Sequence, residues 1–256
     1  MCIVTISIQE NSNYPLIIVQ NRDEAYERDS LPIHFWEDYP DILAGRDVLR
    51  GGTWSGITNS VRFASMTNRP FDDFPSIKDS YSRGKLVKDY LSGTDSPSDF
   101  LKYVKENRFK YDSFQIVFGT VNELHVYSNA TDSHRQFKPG LHSVSNTSDD
   151  LSQHRMDRSL DLIGGYLKDY PEPNPDDLIK YFKDTQKAED LTHFPKEISY
   201  EMAKDNSSIF IDGDTFGTVN TTVFLVHKSG HVTVKEMRYD TAGEIETTEK
   251  TLKLAR

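Results

Sequence analysis

The chain of 256 residues contains one cysteine, Cys2. A lone cysteine can neither close an internal disulfide nor build a cysteine-based zinc site. Basic residues are outnumbered, 30 Lys and Arg against 40 Asp and Glu for a net charge of -10, and no basic run could track a phosphate backbone. Nucleic acid is therefore not an expected partner. No stretch approaches the roughly 18 apolar residues that cross a bilayer. The first residues lack the basic segment and cleavage site of a secretory signal. No membrane span and a cytoplasmic location are the expectations. There is also no internal repeat, no low-complexity tract and no linker, so residues 1–256 are read as one domain.

What is present is material for a core: hydrophobic residues make up 36% of the chain, with 14 Phe and 13 Tyr. The opening stretch MCIVTISIQ alternates, with Cys2, Val4, Ile6 and Ile8 on one face and Ile3, Thr5, Ser7 and Gln9 on the other. ENSNYP then turns the chain into LIIVQ, which predicts a β-hairpin over residues 2–20. Residues 21–60 read mostly as loop leading into a strand. Further strands are expected at 61–68, 114–120, 123–128 and 141–146, and helices at 82–92, 97–106, 152–168 and 175–184. Ser96 followed by Pro97 is a helix-start signal, and Ser82 is expected to cap the helix before it. The last third returns to strands in SSIFI, TTVFLVH, HVTVKEMRY and EIETTEKTLKL. Blocks of strands, helices and strands without βαβ alternation indicate an α+β fold built on antiparallel sheets.

The position of Cys2 suggests chemistry. Removal of Met1 would leave one residue carrying both a thiol and an α-amine of reference pKa about 7.7–8.0, close to that of a thiol. That pairing is the logic of N-terminal nucleophile catalysis, in which the terminal amine activates its own side chain. Retention of Met1 would block it. A small apolar filler at the start of a buried strand is the plainer reading of the same residue. The hairpin bears on the choice, because antiparallel pairing brings the end of the second strand, NRDE at 21–24, back beside Cys2. A guanidinium from Arg22 would favour the thiolate and a carboxylate from Asp23 could orient the amine. A surface turn with a salt-bridged pair would explain the same four residues.

MCIV, NRDE, GGTWSGI (51–57), TN (67–68), SRGKLV (82–87), SVSN (143–146) and FGTVNTTVFLV (216–226) occur in this order. The set resembles the NRDE-motif family, also called the transport and Golgi organisation family, over nearly the whole chain. That family is in turn similar to cysteine N-terminal nucleophile (Ntn) hydrolases such as penicillin V acylase and bile salt hydrolase. The resemblance implies a four-layer αββα sandwich that cleaves non-peptide amide bonds of small or acylated substrates. It implies Cys2 as nucleophile, Arg22 and Asp23 as its partners, and Asn68 and Asn146 at the places where the hydrolases hold the oxyanion or the α-amine. The hydrolases space their Arg and Asp three positions apart, whereas here the two are adjacent. Val219 stands where the family commonly has Arg.

Asn21, Gly52 and Trp54 are candidate substrate contacts, Gly52 for close backbone approach and Trp54 as a wall. A tight turn with a core Trp explains the latter two equally. GGTWSGI is not a phosphate loop, since it lacks the lysine and the helix. His227 and His231 have the spacing of helical metal ligands, but KSG between strands marks a hairpin, so no metal is expected. The amidase reading requires no cofactor and takes a small-molecule substrate; a homo-oligomer is compatible with it. The alternative implied by the family is a non-catalytic carrier on the same fold, holding haem or an acyl lipid.

Overall fold

This computed structural model describes residues 2–70, 73–146 and 149–255. The span read above as one domain comprises two compact units, Met1–Glu27 with Pro139–Thr251, and Arg28–Lys138 with Leu252–Arg256. Each is built on one antiparallel sheet. Among the described residues no helix is long and apolar enough to cross a membrane.

The first unit opens with β1 (Cys2–Ile8) and β2 (Leu16–Ala25), the expected hairpin. Strands β10 (Gly140–Val144), β11 (Phe216–Val226), β12 (His231–Asp240) and β13 (Gly243–Lys253) complete a six-stranded sheet in the order β10-β1-β2-β11-β12-β13. Helices α3 (Asp150–Asp169), α4 (Pro175–Phe182) and α5 (Tyr200–Asp205) belong to the same unit. Ile3, Ile17, Val19, Val223 and Leu225 from one sheet face form a core with Ile163 and Tyr166 of α3 and Leu178, Ile179 and Phe182 of α4. Thr5 and Ser7, on the face of β1 that carries Ile3, are both buried, and the Thr5 hydroxyl meets the Ser159 hydroxyl of α3 at 2.7 Å. Pairing with a helix hydroxyl lets a polar residue sit on the packed face.

The second unit is a seven-stranded meander of β3 (Ser30–Phe35), β4 (Ile42–Asp47), β5 (Ser55–Thr58), β6 (Arg62–Asn68), β7 (Phe114–Thr120), β8 (Glu123–Ser128) and β9 (Ser133–Gln136) in sequence order. Helices α1 (Arg83–Ser92) and α2 (Pro97–Glu106) bury Leu86, Val87, Tyr90, Leu91, Phe100 and Val104 against Ile42, Ala64, Ile116 and Phe118. The Ser96 side chain accepts from the Asp99 N–H with Pro97 in the first turn, as its sequence predicts. Ser82 does occupy the cap position of α1, but its side chain makes no capping bond.

Two expectations need correction. Residues 21–60 are not mainly loop: NRDEA is the end of β2, and β3, β4 and β5 follow it. Charged residues hid the strand because their partners lie far away in sequence. SSIFI is not a strand; Ser207–Ile211 forms no ladder and follows the short helix α5, which the sequence reading missed. The chain there is tied by single bonds instead, such as the Phe210 N–H donating to the Asp184 carbonyl at 2.8 Å.

Candidate active site

The hairpin sets Cys2 directly opposite Arg22. On the other side the last ladder pair of β1 and β10 is Val4 with Val144, so Cys2 and Asn146 each lie two residues further along in register. There the side chain replaces the ladder: the Cys2 backbone N–H donates to Asn146 Oδ1 at 2.9 Å, and the Ser145 hydroxyl donates to the Cys2 carbonyl at 3.2 Å. Asn146 is fully buried and Arg22 nearly so. Cys2, Arg22 and Asn146, three of the five residues assigned to catalysis from the sequence, thus converge on one end of β1. Met1, on whose removal the amine reading depends, lies outside the described residues.

Side chains alternate along a strand, so Asn21 and Asp23 leave β2 on the face opposite to Arg22. Asp23 is held there by Arg155 of α3, whose Nη2 donates to Oδ2 at 2.6 Å, and by the Thr218 hydroxyl, which donates to Oδ1 at 2.7 Å. The backbone N–H of Asp23 also offers the Cys2 sulfur a hydrogen bond. Asn21 is committed to structure: its Nδ2 donates to the carbonyls of Phe182 and Ile209, each at 2.9 Å, and its Oδ1 accepts from the Thr221 hydroxyl at 2.7 Å.

Sequence reasoning missed Arg155, Thr218 and Asn220. A signal for the first existed in the helix pattern, where Leu151, Arg155, Ser159 and Ile163 repeat every four residues and all are buried. An arginine and a serine within an apolar stripe mark a buried polar contact. Asn220 pairs with Arg22 across β11 and β2 after a register shift between Thr218 and Asn220. Val219, at the family's usual Arg position, is the extra residue of that bulge.

Burial pushes the Cys2 thiol up, and the Asp23 carboxylate adds to the rise; the N-terminal charge, the Asp23 N–H and the Arg22 guanidinium pull it back. The net direction is upward, so in this state the sulfur is held as thiol and needs a base to become a nucleophile.

The remaining site candidates, Asn68, Gly52 and Trp54, belong to the second unit. Asn68 ends β6 opposite Phe114 and is half-buried. Gly51 adopts φ +66, and a Cβ on Gly52 would meet the Gly84 carbonyl carbon at 2.6 Å, so the close approach that Gly52 permits is to the backbone at the start of α1. Trp54 is buried with its ring over Gly45, where a Cβ would meet it at 2.4 Å. His227 and His231 flank a hairpin turn, the His227 N–H donating to the His231 carbonyl at 2.8 Å. Among the described residues no group of three His, Cys, Asp or Glu is placed to hold a metal ion.

Comparison with solved structures shows the same architecture at low identity. Conjugated bile acid hydrolase from Clostridium perfringens, in one variant crystal structure, matches with a TM-score of 0.54 at 9% identity, covering 99% of this chain and 92% of that one. The Caenorhabditis elegans ortholog of N-acylethanolamine-hydrolyzing acid amidase gives 0.51 at 9% identity, covering 88% and 92%. These likenesses show the fold class expected above, the α+β, αββα sandwich of Ntn-hydrolase-like proteins. Among curated proteins, the Transport and Golgi organization 2 homologs of Mus musculus and Homo sapiens are each 25% identical over 258 residues, covering 92% of both chains. The Drosophila melanogaster protein is 29% identical over 129 residues, 46% of this chain and 45% of its own. The family model described as Transport and Golgi organisation 2 matches residues 1–241, and the chain belongs to that family.

Proposed function

We propose that the protein is a cysteine N-terminal nucleophile hydrolase that cleaves a non-peptide amide bond of a small or acylated substrate. The observation that carries this reading is the Cys2 nitrogen bonded to the buried Asn146 Oδ1 at 2.9 Å, with Arg22 opposite Cys2 in the ladder. With Met1 removed that nitrogen becomes an α-amine, already oriented by an acceptor that leaves its lone pair for the thiol proton. The Cys2 sulfur attacks the substrate carbonyl while the amine takes the proton. A hydrogen-bond donor aimed at the developing oxyanion completes such a step, the kind of contact whose loss costs about 2.7–4 kcal/mol in a protease. The amine then protonates the leaving nitrogen as the C–N bond breaks and a thioester forms. Water, deprotonated by the same amine, releases the acid and restores the thiol. Asp23, clamped by Arg155 and Thr218, fixes the end of β2 and so the N–H that faces the sulfur. The hydrolase and amidase named among the structural neighbours support the same chemistry.

Two measurements test it. Intact mass of the protein expressed in cytosol should show a chain lacking Met1; a chain that keeps Met1 has no amine base. A panel of acyl amides should be turned over by the natural protein and not by Cys2→Ala, and equal turnover by both would remove Cys2 as nucleophile.

A second reading, a non-catalytic carrier of haem or an acyl lipid, draws on the burial that pushes the Cys2 thiol up, as expected of an inert core thiol. Haem or acyl-coenzyme A titration separates the two: binding unchanged in Cys2→Ala, with no amide turned over, favours the carrier.

A further inference from the structure

Asn220 is 1% exposed, and neither its Oδ1 nor its Nδ2 has a hydrogen-bond partner among the described residues. Buried amides are ordinarily satisfied, and Asn21, one position along the facing strand, shows how completely this sheet can do so. The contrast is one of direction. Asn21 faces the helices with Thr221, its ladder partner, while Asn220 pairs with Arg22, which pairs with Cys2. Directly paired residues of an antiparallel sheet project to the same face. Cys2, Arg22, Asn220 and Arg238 therefore form one row across four strands, in which Arg238 is engaged by Glu246 at 3.0 Å. The adjoining row holds Gln20, Thr222 and Glu236, all buried, so this end of the face is polar.

The backbone is bent to achieve this. Residues two apart on a regular strand share a face, yet Thr218 points to Asp23 on the helix side and Asn220 points the other way. The bulge at Val219 reverses the alternation, and bulges beside functional sites commonly re-aim a side chain in this way. A fold that inserts a residue and leaves both ends of a buried amide unbonded has kept that amide for something else.

We propose that Asn220 is a specificity-determining residue that binds an uncharged amide group carried by the substrate, its Nδ2 donating to that group's carbonyl and its Oδ1 accepting from that group's N–H. Two strand spacings, about 10 Å, separate it from Cys2. A carbonyl under attack lies about 3–3.5 Å from the sulfur, so Asn220 engages a second amide, several bonds from the scissile one and beyond Arg22. The preferred substrate class is then an acyl amide whose amine portion bears a further carboxamide. The Asn amide offers one donor and one acceptor side by side, which another amide matches and a carboxylate or ammonium does not.

This assignment rests on the hydrolase reading for the meaning of the row, but its test does not. Two probes are used: the hexanoyl amide of gamma-aminobutyramide, and an isostere with an isopropyl group in place of the terminal carboxamide. Binding is measured by calorimetry in Cys2→Ala, where no turnover intervenes, and in Cys2→Ala with Asn220→Leu or Asn220→Asp. The carboxamide probe should bind at least tenfold tighter than the isostere. Asn220→Leu should abolish that difference while leaving isostere affinity unchanged, and should not lower the thermal midpoint, since it removes two unbonded polar atoms. Asn220→Asp keeps the volume and should also lose the preference. Equal affinity for the two probes, no binding of the carboxamide probe, or a preference that survives Asn220→Leu overturns the assignment. Discrimination retained in binding with no turnover of the probe by the natural protein refutes the hydrolase reading alone.

Discussion

Arg155 and Asp23 meet through a 2.6 Å bond between two side chains that are both fully inaccessible to solvent. A buried ion pair offers little net stability over an apolar pair, but breaking one partner is costly, about 3–5 kcal/mol, because a buried charge is left alone. Arg155→Met should therefore lower unfolding free energy by about that amount in urea melts. The double replacement Arg155→Met with Asp23→Leu should recover most of it. A single variant within about 1 kcal/mol of the natural protein would show that the pair does not hold the end of β2.

Asn146 offers a narrower test of the same corner. Asn146→Leu removes the acceptor of the Cys2 N–H bond and leaves a buried donor, at a cost of about 1–3 kcal/mol. Under the hydrolase reading it should lower kcat more than it raises KM, because the orientation of the amine matters most in the transition state. A loss confined to KM would place Asn146 in substrate binding instead.

What the sequence made legible was local. Alternation in MCIVTISIQ and the polar ENSNYP specified the hairpin, and through it the Cys2–Arg22 pairing. Ser96 and Pro97 marked the start of α2 because capping is decided within four residues. What stayed hidden was decided at a distance. NRDEA is a strand because β11, about 200 positions later, pairs with it, and Asp23 is buried because Arg155 lies 132 residues away. The bulge at Val219 has no local signature, so Asn220 gave no sign of sharing a face with Cys2. The 21–24 motif was also more divided than it looked, with Arg22 on the cysteine's face and Asn21 and Asp23 on the helices' face.

Tyr90, in the second unit, provides a pH-dependent prediction independent of catalysis. Burial raises its phenol to about 12, partly offset by the Arg62 guanidinium, which lies 3.9 Å from the ring centroid. A group whose folded pKa is raised contributes stability that is complete below its unfolded value, about 10, and is lost as pH rises through the folded value. Stability should therefore fall between about pH 10 and 12. The Tyr90 hydroxyl has no hydrogen-bond partner among the described residues. Tyr90→Phe should thus cost less than about 1 kcal/mol at neutral pH and flatten the alkaline limb of the stability profile. Some slope should remain, because burial also raises Tyr111, Tyr127 and Tyr239. An unchanged alkaline limb in Tyr90→Phe would mean that its phenol titrates alike in the folded and unfolded chain.

Cys2 being the only thiol makes its titration readable as the difference in thiolate ultraviolet absorbance between the folded protein and Cys2→Ala, which cancels the signal of the 13 tyrosines. Burial is the largest influence and raises the pKa above the ordinary thiol value of 9.0, with the Asp23 carboxylate pushing the same way. The absorbance midpoint should therefore lie above that of the same chain in denaturant. By the same sign argument, the stability linked to this thiol is present below the unfolded value and lost as pH rises through the folded one. Arg22 opposes the rise, so Arg22→Met should move the midpoint higher still. A midpoint unmoved by Arg22→Met would show that the guanidinium does not act on the sulfur, and Arg22 would keep only its place in the ladder. A midpoint that falls below the denatured value would mean that the thiol is activated without its amine, the outcome least compatible with terminal-amine catalysis.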